Sequence, residues 1–188
     1  MKFLLFVFLF IFQLSYSSEK DVSSWFKNES EEFLLIMNNS EGEDNENYDN
    51  YSVFIEKNFA IKSIAYGLIP ESVLSKSDEN DIERYVESFK KYLTNTIYNL
   101  SNNTTSGKIE LVDINYDGSI YQIKSNIIDG DNSVSLYWKV ALIKSEFKIL
   151  DVIVENTSYF VTKKAEFTKL LRKFKGDLSK LTEEIDKI

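Results

Sequence analysis

The chain has 188 residues, with 22 basic against 30 acidic, a net charge of −8, no Cys, no His and a single Pro. That composition excludes a disulfide framework, a Cys/His zinc set, a thiol nucleophile and a His general base. It also argues against a nucleic-acid partner, because phosphate binding needs clustered Lys and Arg.

Lys2, the unbroken apolar run from Phe3 to Phe12, and the small residues Ser15 and Ser17 read as a cleaved secretory signal peptide over residues 1–17. The ten apolar residues of that run fall short of the ~20 that a membrane-spanning helix requires. Residues 18–188 are then expected to form one domain with 21 basic and 30 acidic residues, a net −9. A secreted chain without Cys points to a bacterial periplasm. The N-x-S/T triplets at Asn28, Asn38, Asn99, Asn103 and Asn156 are then chance occurrences in an Asn- and Ser-rich chain.

Glu19 to Met37 has a helical pattern, with Val22, Trp25, Phe26, Phe33 and Ile36 as its apolar set. Asn38 to Asn50 is acidic and nearly free of apolar residues, so it is expected to be a mobile loop. Glu41, Glu43, Asp44 and Glu46 cluster there without the D-x-D-x-D-G spacing of a calcium loop, and no metal site is expected. Tyr51 to Ile69 reads as one helix ended by Gly67 and Pro70. Ser77 or Asp78 then caps a long helix. In it Ile82, Tyr85, Val86, Phe89, Tyr92, Leu93, Thr96, Ile97 and Leu100 recur at i, i+3, i+4, i+7.

Four strands come next. Gly107 to Tyr116 and Ser119 to Ile128 join at Asp117-Gly118, a favoured hairpin dipeptide. The turn Asp129 to Asn132 leads into Ser133 to Leu142, where Val134, Leu136, Trp138, Val140 and Leu142 alternate with their neighbours. Lys144, Ser145 and Glu146 turn the chain into a strand from Phe147 to Val154. After Glu155 the period changes, and Phe167, Leu170, Leu171 and Phe174 fall at helical spacing. Leu178, Leu181, Ile185 and Ile188 mark a last short helix after Gly176. The order predicts an α+β fold, an antiparallel sheet of four or more strands with helices on one face.

Two stretches resemble the MlaC family, the toluene-tolerance type of periplasmic phospholipid-binding carriers. The first is Phe147, Leu150, Asp151 and Val154-Glu155-Asn156-Thr157-Ser158, followed by Thr162, Lys163, Lys164, Phe167, Leu170 and Leu171. It is similar to the family's W-x-x-Y-D-V/I-x-x-E-G-V-S and the helix after it. Phe147 stands where the family has Trp, and Asn156 where it has Gly. The second is Ala65-Tyr66-Gly67 with Val86, Phe89, Leu93 and Tyr98. The resemblance runs from Tyr51 to the C-terminus.

It implies a hydrophobic pocket between curved sheet and helices, with bound phospholipid as cargo and no cofactor. Its implied partners are an inner-membrane ABC transporter complex and an outer-membrane lipoprotein complex, met transiently to maintain outer-membrane lipid asymmetry. The expected lining is Phe59, Ile64, Leu68, Val86, Phe89, Leu93, Ile123, Leu136, Trp138, Val140, Ile149 and Val152. Ile149 and Val152 have opposite parity, so in a regular strand only one of them faces inward. A pocket of Ile, Leu, Val and Phe takes acyl chains at ~0.8 kcal/mol per methylene and needs no charged clamp.

Two further readings stay open. An NTF2-like domain shares a curved sheet over a pocket and serves small-ligand binding or catalysis, and Asp113 and Asp151 on predicted strands are a candidate acid–base pair. A protein-interaction module would use its apolar residues as core alone. The basic cluster of Lys163, Lys164, Lys169, Arg172, Lys173 and Lys175 is either a solvated helix face or a docking patch that steers association.

Overall fold

A computed structural model describes residues 19–38, 44–101 and 107–188. The signal-peptide reading, Glu41, Glu43 and Asn103 lie outside the described residues. Five helices precede the sheet: α1 (Glu19–Asn38), α2 (Asp44–Asn58), α3 (Ile61–Leu68), α4 (Glu71–Leu74) and α5 (Glu79–Ser101). The strands are β1 (Lys108–Tyr116), β2 (Tyr121–Asp129), β3 (Asn132–Ile143), β4 (Glu146–Val154) and β5 (Thr157–Ser158), and α6 (Tyr159–Lys173) and α7 (Leu178–Ile185) end the chain. The strands pair antiparallel in sequence order, a five-stranded meander. The α+β expectation holds, with the helices packed on one face.

Local chemistry sets the ends of the elements. Asp78 Oδ1 accepts from the Asp81 N–H at 2.8 Å at the start of α5. Ser158 Oγ accepts from the Val161 N–H at 3.0 Å at the start of α6. Each satisfies a donor that a helix end leaves without a partner. Lys144 and Ser145 join β3 to β4 with φ of 50° and 68°, and Glu155 and Asn156 join β4 to β5 with φ of 49° and 64°. Two successive positive φ values match the right-handed twist of the flanking strands. Asn156 therefore occupies a backbone position that Gly or Asn tolerates best, which accounts for the substitution noted there.

Three expectations are corrected. Residues 44–50 are not loop but the first turns of α2. Tyr48 and Tyr51 set their rings against Tyr98 of α5, with centroids 5.9 and 5.5 Å apart, and this packing overrides the polar composition. The helix expected from Tyr51 to Ile69 is broken at Phe59-Ala60, where the Ala60 N–H donates to the carbonyl of Ile149 at 3.0 Å and ties the chain to β4. The β1–β2 connection is the four residues Asp117 to Ile120 rather than a two-residue turn, since Tyr116 pairs with Tyr121. Asp117 Oδ1 accepts from the N–H groups of Ser119 at 3.0 Å and Ile120 at 2.9 Å and closes that loop.

Two bulges shape the sheet. In β1 the register steps from Leu111–Ser125 to Asp113–Lys124, which leaves Val112 without a partner and half exposed. In β4 it steps from Asp151–Lys139 to Ile149–Val140, which leaves Leu150 extra. A bulge adds one residue and so reverses the face of the residues beyond it. Ile149 and Val152 thus both point inward, as do Leu111 and Ile114. The compact core lies under the Tyr121/Val140 end of the sheet. There Phe89 meets Phe160 at 6.2 Å and Tyr121 meets Phe147 at 5.8 Å, ring to ring.

Candidate functional site

At the other end of the sheet, towards the β2–β3 turn, the helices do not close on the strands. A cavity of about 560 Å³ remains. One wall is α1, through Trp25, Phe26, Glu29, Ser30, Phe33, Leu34 and Met37. A second is the C-terminal half of α5, through Leu93, Thr96, Ile97, Leu100 and Ser101. The sheet supplies Ile109, Ile127, Asp129, Asn132, Val134, Leu136, Trp138, Ile149, Val152 and Val154. Phe54, Phe59, Gly107, Tyr159 and Phe160 complete it. Gly107 is held to its type by space, because a Cβ there would stand 2.8 Å from the carbonyl oxygen of Ile128.

The lining is graded. Phe26, Phe59, Leu93, Leu136, Ile149 and Phe160 are buried and form the floor. Leu100, Val134 and Val154 are 64%, 43% and 38% exposed, so they mark the mouth. Large apolar groups clustered in water at such a mouth are uncommon on a monomer unless something covers them.

Several polar groups on the cavity and beside it are paired within the protein. Glu29 Oε2 takes the Lys57 ammonium at 2.8 Å and the Asn58 amide at 2.9 Å, and Lys57 also holds Glu32 at 2.6 Å. The Lys148 ammonium donates to the carbonyl of Lys57. Trp138 gives its indole N–H to Ser125 Oγ at 2.9 Å. Tyr159 shares a hydrogen bond of 3.2 Å with Tyr92, and burial followed by that bond pushes its phenol well above the ordinary range. Burial lowers the Lys163 ammonium, yet its bonds to Glu166 and Tyr92 outweigh that and hold it above the usual lysine value.

Six of the twelve expected lining residues stand on the cavity: Phe59, Leu93, Leu136, Trp138, Ile149 and Val152. Ile64, Leu68, Phe89, Ile123 and Val140 are buried in the compact core instead, and Val86 is half-buried against it. They belong to the same apolar faces but to the closed end of the molecule. The contribution of α1 was not in the expected set. Trp25, Phe26 and Phe33 were legible as an apolar helix face, but nothing in the spacing says what that face meets.

Asp113 and Asp151 do not meet: they lie on β1 and β4, with two strands between them. Asp113 accepts from Asn115 at 2.9 Å on the exposed edge. Asp151 accepts from Ser158 Oγ at 2.7 Å, from the Val152 N–H at 2.9 Å and from the Phe160 N–H at 3.4 Å, so it anchors the start of α6. Among the described residues no three His, Cys, Asp or Glu side chains are placed to hold a metal ion. No described helix is long and apolar enough to cross a membrane.

An apolar chamber with a wet mouth, walled by helices on one side and a curved sheet on the other, defines an α+β domain built to enclose an apolar ligand. The family model of the MlaC protein matches residues 27–187, and the chain belongs to that family of lipid-binding carriers. No curated protein matches the chain by sequence. Among solved structures it is similar to the phospholipid-binding protein of Ralstonia solanacearum, determined in complex with a phospholipid. That match has a TM-score of 0.74 at 14% identity and covers 87% of this chain and 94% of the other. At that identity the likeness is one of fold.

Proposed function

We propose that the chain is a periplasmic phospholipid carrier. Residues 1–17 act as a signal peptide, and residues 18–188 form one carrier domain. It takes acyl chains into the cavity and shuttles them between an inner-membrane ABC transporter complex and an outer-membrane lipoprotein complex, which maintains outer-membrane lipid asymmetry. The observation that carries this reading is the apolar cavity, floored by Phe59, Leu136 and Ile149 and open at Leu100, Val134 and Val154. Membership of the family and the ligand of the Ralstonia solanacearum protein support it.

The physics of a carrier fits such a wall. Each buried methylene gains ~0.8 kcal/mol over water, so lipid does not leave into solution. The same wall offers little more than a bilayer interior does, so lipid is released when a membrane-embedded acceptor takes over. The separation of Asp113 from Asp151 favours binding over catalysis.

Organic extraction of the purified protein followed by mass spectrometry tests the reading. Stoichiometric phospholipid is expected. Leu136→Glu places a charge on the cavity floor and should abolish retention with helical content largely intact. A clean extract from the unaltered protein, with no uptake from labelled vesicles, sinks the proposal.

A further inference from the structure

The two edges of the sheet are treated differently. Beside β4, the short β5 pairs with Ile153 and Val154, and the Ala60 N–H donates to the carbonyl of Ile149 at 3.0 Å. Beside β1 there is no such cover. Among the described residues, β1 exchanges backbone hydrogen bonds with β2 alone. An edge strand presents the rest of its N–H and C=O groups as a row that another strand can take up. Resting on the carrier reading above for its partners, we propose that this outer edge of β1 is a docking site. An extended segment of one partner protein, apolar and basic in alternation, adds there to the sheet as a further strand.

A depression of about 60 Å³ lies beside the edge, between β1 and α1. Phe26, Leu34, Ile109 and Leu111 form its apolar floor, and Lys27 and Glu31 flank it. Leu35, one turn beyond Glu31, is exposed, and so is Val112 on the strand. An added strand turns every second side chain towards this face, where small apolar groups fit. Charge selects the occupant. Glu31, Glu110, Asp113 and Asp117 stand along the edge against Lys27 and Lys108, and Lys108 is already paired with Glu110 at 2.5 Å. A second copy would bring this acidic edge against itself, and the bulge at Val112 interrupts a long self-pairing. A segment with Lys or Arg between its apolar residues meets both the charge and the groove. The contact is confined to a few residues on either side of the bulge, so the complex is weak and brief, as a shuttle requires.

The test is hydrogen exchange on the full secreted chain, loaded with phospholipid. The protein is measured alone and mixed in turn with the inner-membrane ABC transporter complex and the outer-membrane lipoprotein complex. With one of them, exchange of the Lys108 to Tyr116 amides should slow at least tenfold. Protection confined to α6 or to the mouth overturns the inference and leaves the carrier reading standing. So does a failure of either complex to bind a protein whose organic extract still holds phospholipid. No binding and a clean extract overturn both. A dimer of the protein alone with β1 protected would give the edge to a second copy and overturn the inference too. In a second arm, Glu110→Lys with Asp113→Lys should slow association with that complex about tenfold at low salt and remove the β1 protection. Lipid held per carrier should not change, because neither residue lines the cavity. Should the double variant fail to fold by circular dichroism, Glu31→Lys, across the groove and also off the cavity, takes its place. A folded variant with full β1 protection and unaltered association overturns the inference.

Discussion

Trp138 and Ser125 are diagonal neighbours across the β2–β3 pair, and the indole N–H donates to Ser125 Oγ at 2.9 Å. Ser125 is fully buried, yet it sits on the apolar face of the sheet beneath the cavity. Its hydroxyl satisfies the one polar atom of a large aromatic that lines the site. Ser125→Ala leaves that N–H without a partner and should cost about 1–3 kcal/mol in urea unfolding. Trp138→Phe made on top of it should cost less than the sum of the two single changes, because no donor is then orphaned. Strict additivity would show that the bond does not stabilise the sheet.

The elements were largely legible because their apolar periods are strong. The Val134 to Leu142 alternation and the α5 stripe from Ile82 to Ile97 match the observed strand and helix. What was not legible depended on contacts between elements. The polar stretch at Asp44 to Asn50 is helical because Tyr48 and Tyr51 find Tyr98, some fifty residues away. The break at Ala60 exists because Ile149 offers a carbonyl to it. The site suffered most, since the apolar faces that line the cavity also line the core. No spacing rule says which end of a helix or strand is left unfilled. Val86 and Phe89 lie on the same stripe as Leu93 and Ile97, yet only the second pair reaches the cavity.

The bulge at Leu150 makes a parity test possible. Ile149 and Val152 both line the cavity because Leu150 is the unpaired residue between them. Ile149→Glu and Val152→Glu should each abolish retention of lipid. Leu150→Gln, on a residue off the cavity, should keep most of it. A variant set in which Ile149→Glu and Val152→Glu behave oppositely would mean that β4 runs as a regular strand.

Tyr85 carries an alkaline limit on stability. It is fully buried, donates its hydroxyl to the carbonyl of Ala65 at 2.9 Å, and burial raises its phenol well above the ordinary 10.0. The unfolded chain ionises near 10 while the folded chain stays neutral. The unfolded state therefore holds fewer protons above that pH, and stability falls as pH rises. Below pH 10 the contribution of Tyr85 is fully present. Urea midpoints should stay level from pH 8 to about 9.5 and then drop. Tyr85→Phe should be less stable at pH 8, by about 0.5–1.5 kcal/mol for the lost bond, and should show a shallower drop above pH 10. An identical alkaline slope in the variant would assign the transition to other groups.

The basic face of α6 bears on delivery. Lys164, Lys169, Arg172, Lys173 and Lys175 are exposed, and the helix starts at Tyr159 on the cavity and shows Val161 two-thirds exposed beside it. Residues 18–188 as a whole are acidic, with a net −9 from 21 basic and 30 acidic residues. An anionic membrane repels that net charge, so docking through this face fits an acidic rim on a protein partner. Steering of this kind acts on association rate. Lys164→Glu, Lys169→Glu and Lys173→Glu combined should slow transfer between donor and acceptor complexes about tenfold at low salt. The deficit should shrink as ionic strength rises, since screening at about 0.15 M already limits charge effects to roughly 8 Å. The amount of lipid held per carrier should not change, because none of the three residues lines the cavity. Transfer that is unaltered at low salt would make this face an ordinary solvated surface, and docking would have to be sought around Leu100, Val134 and Val154 at the mouth.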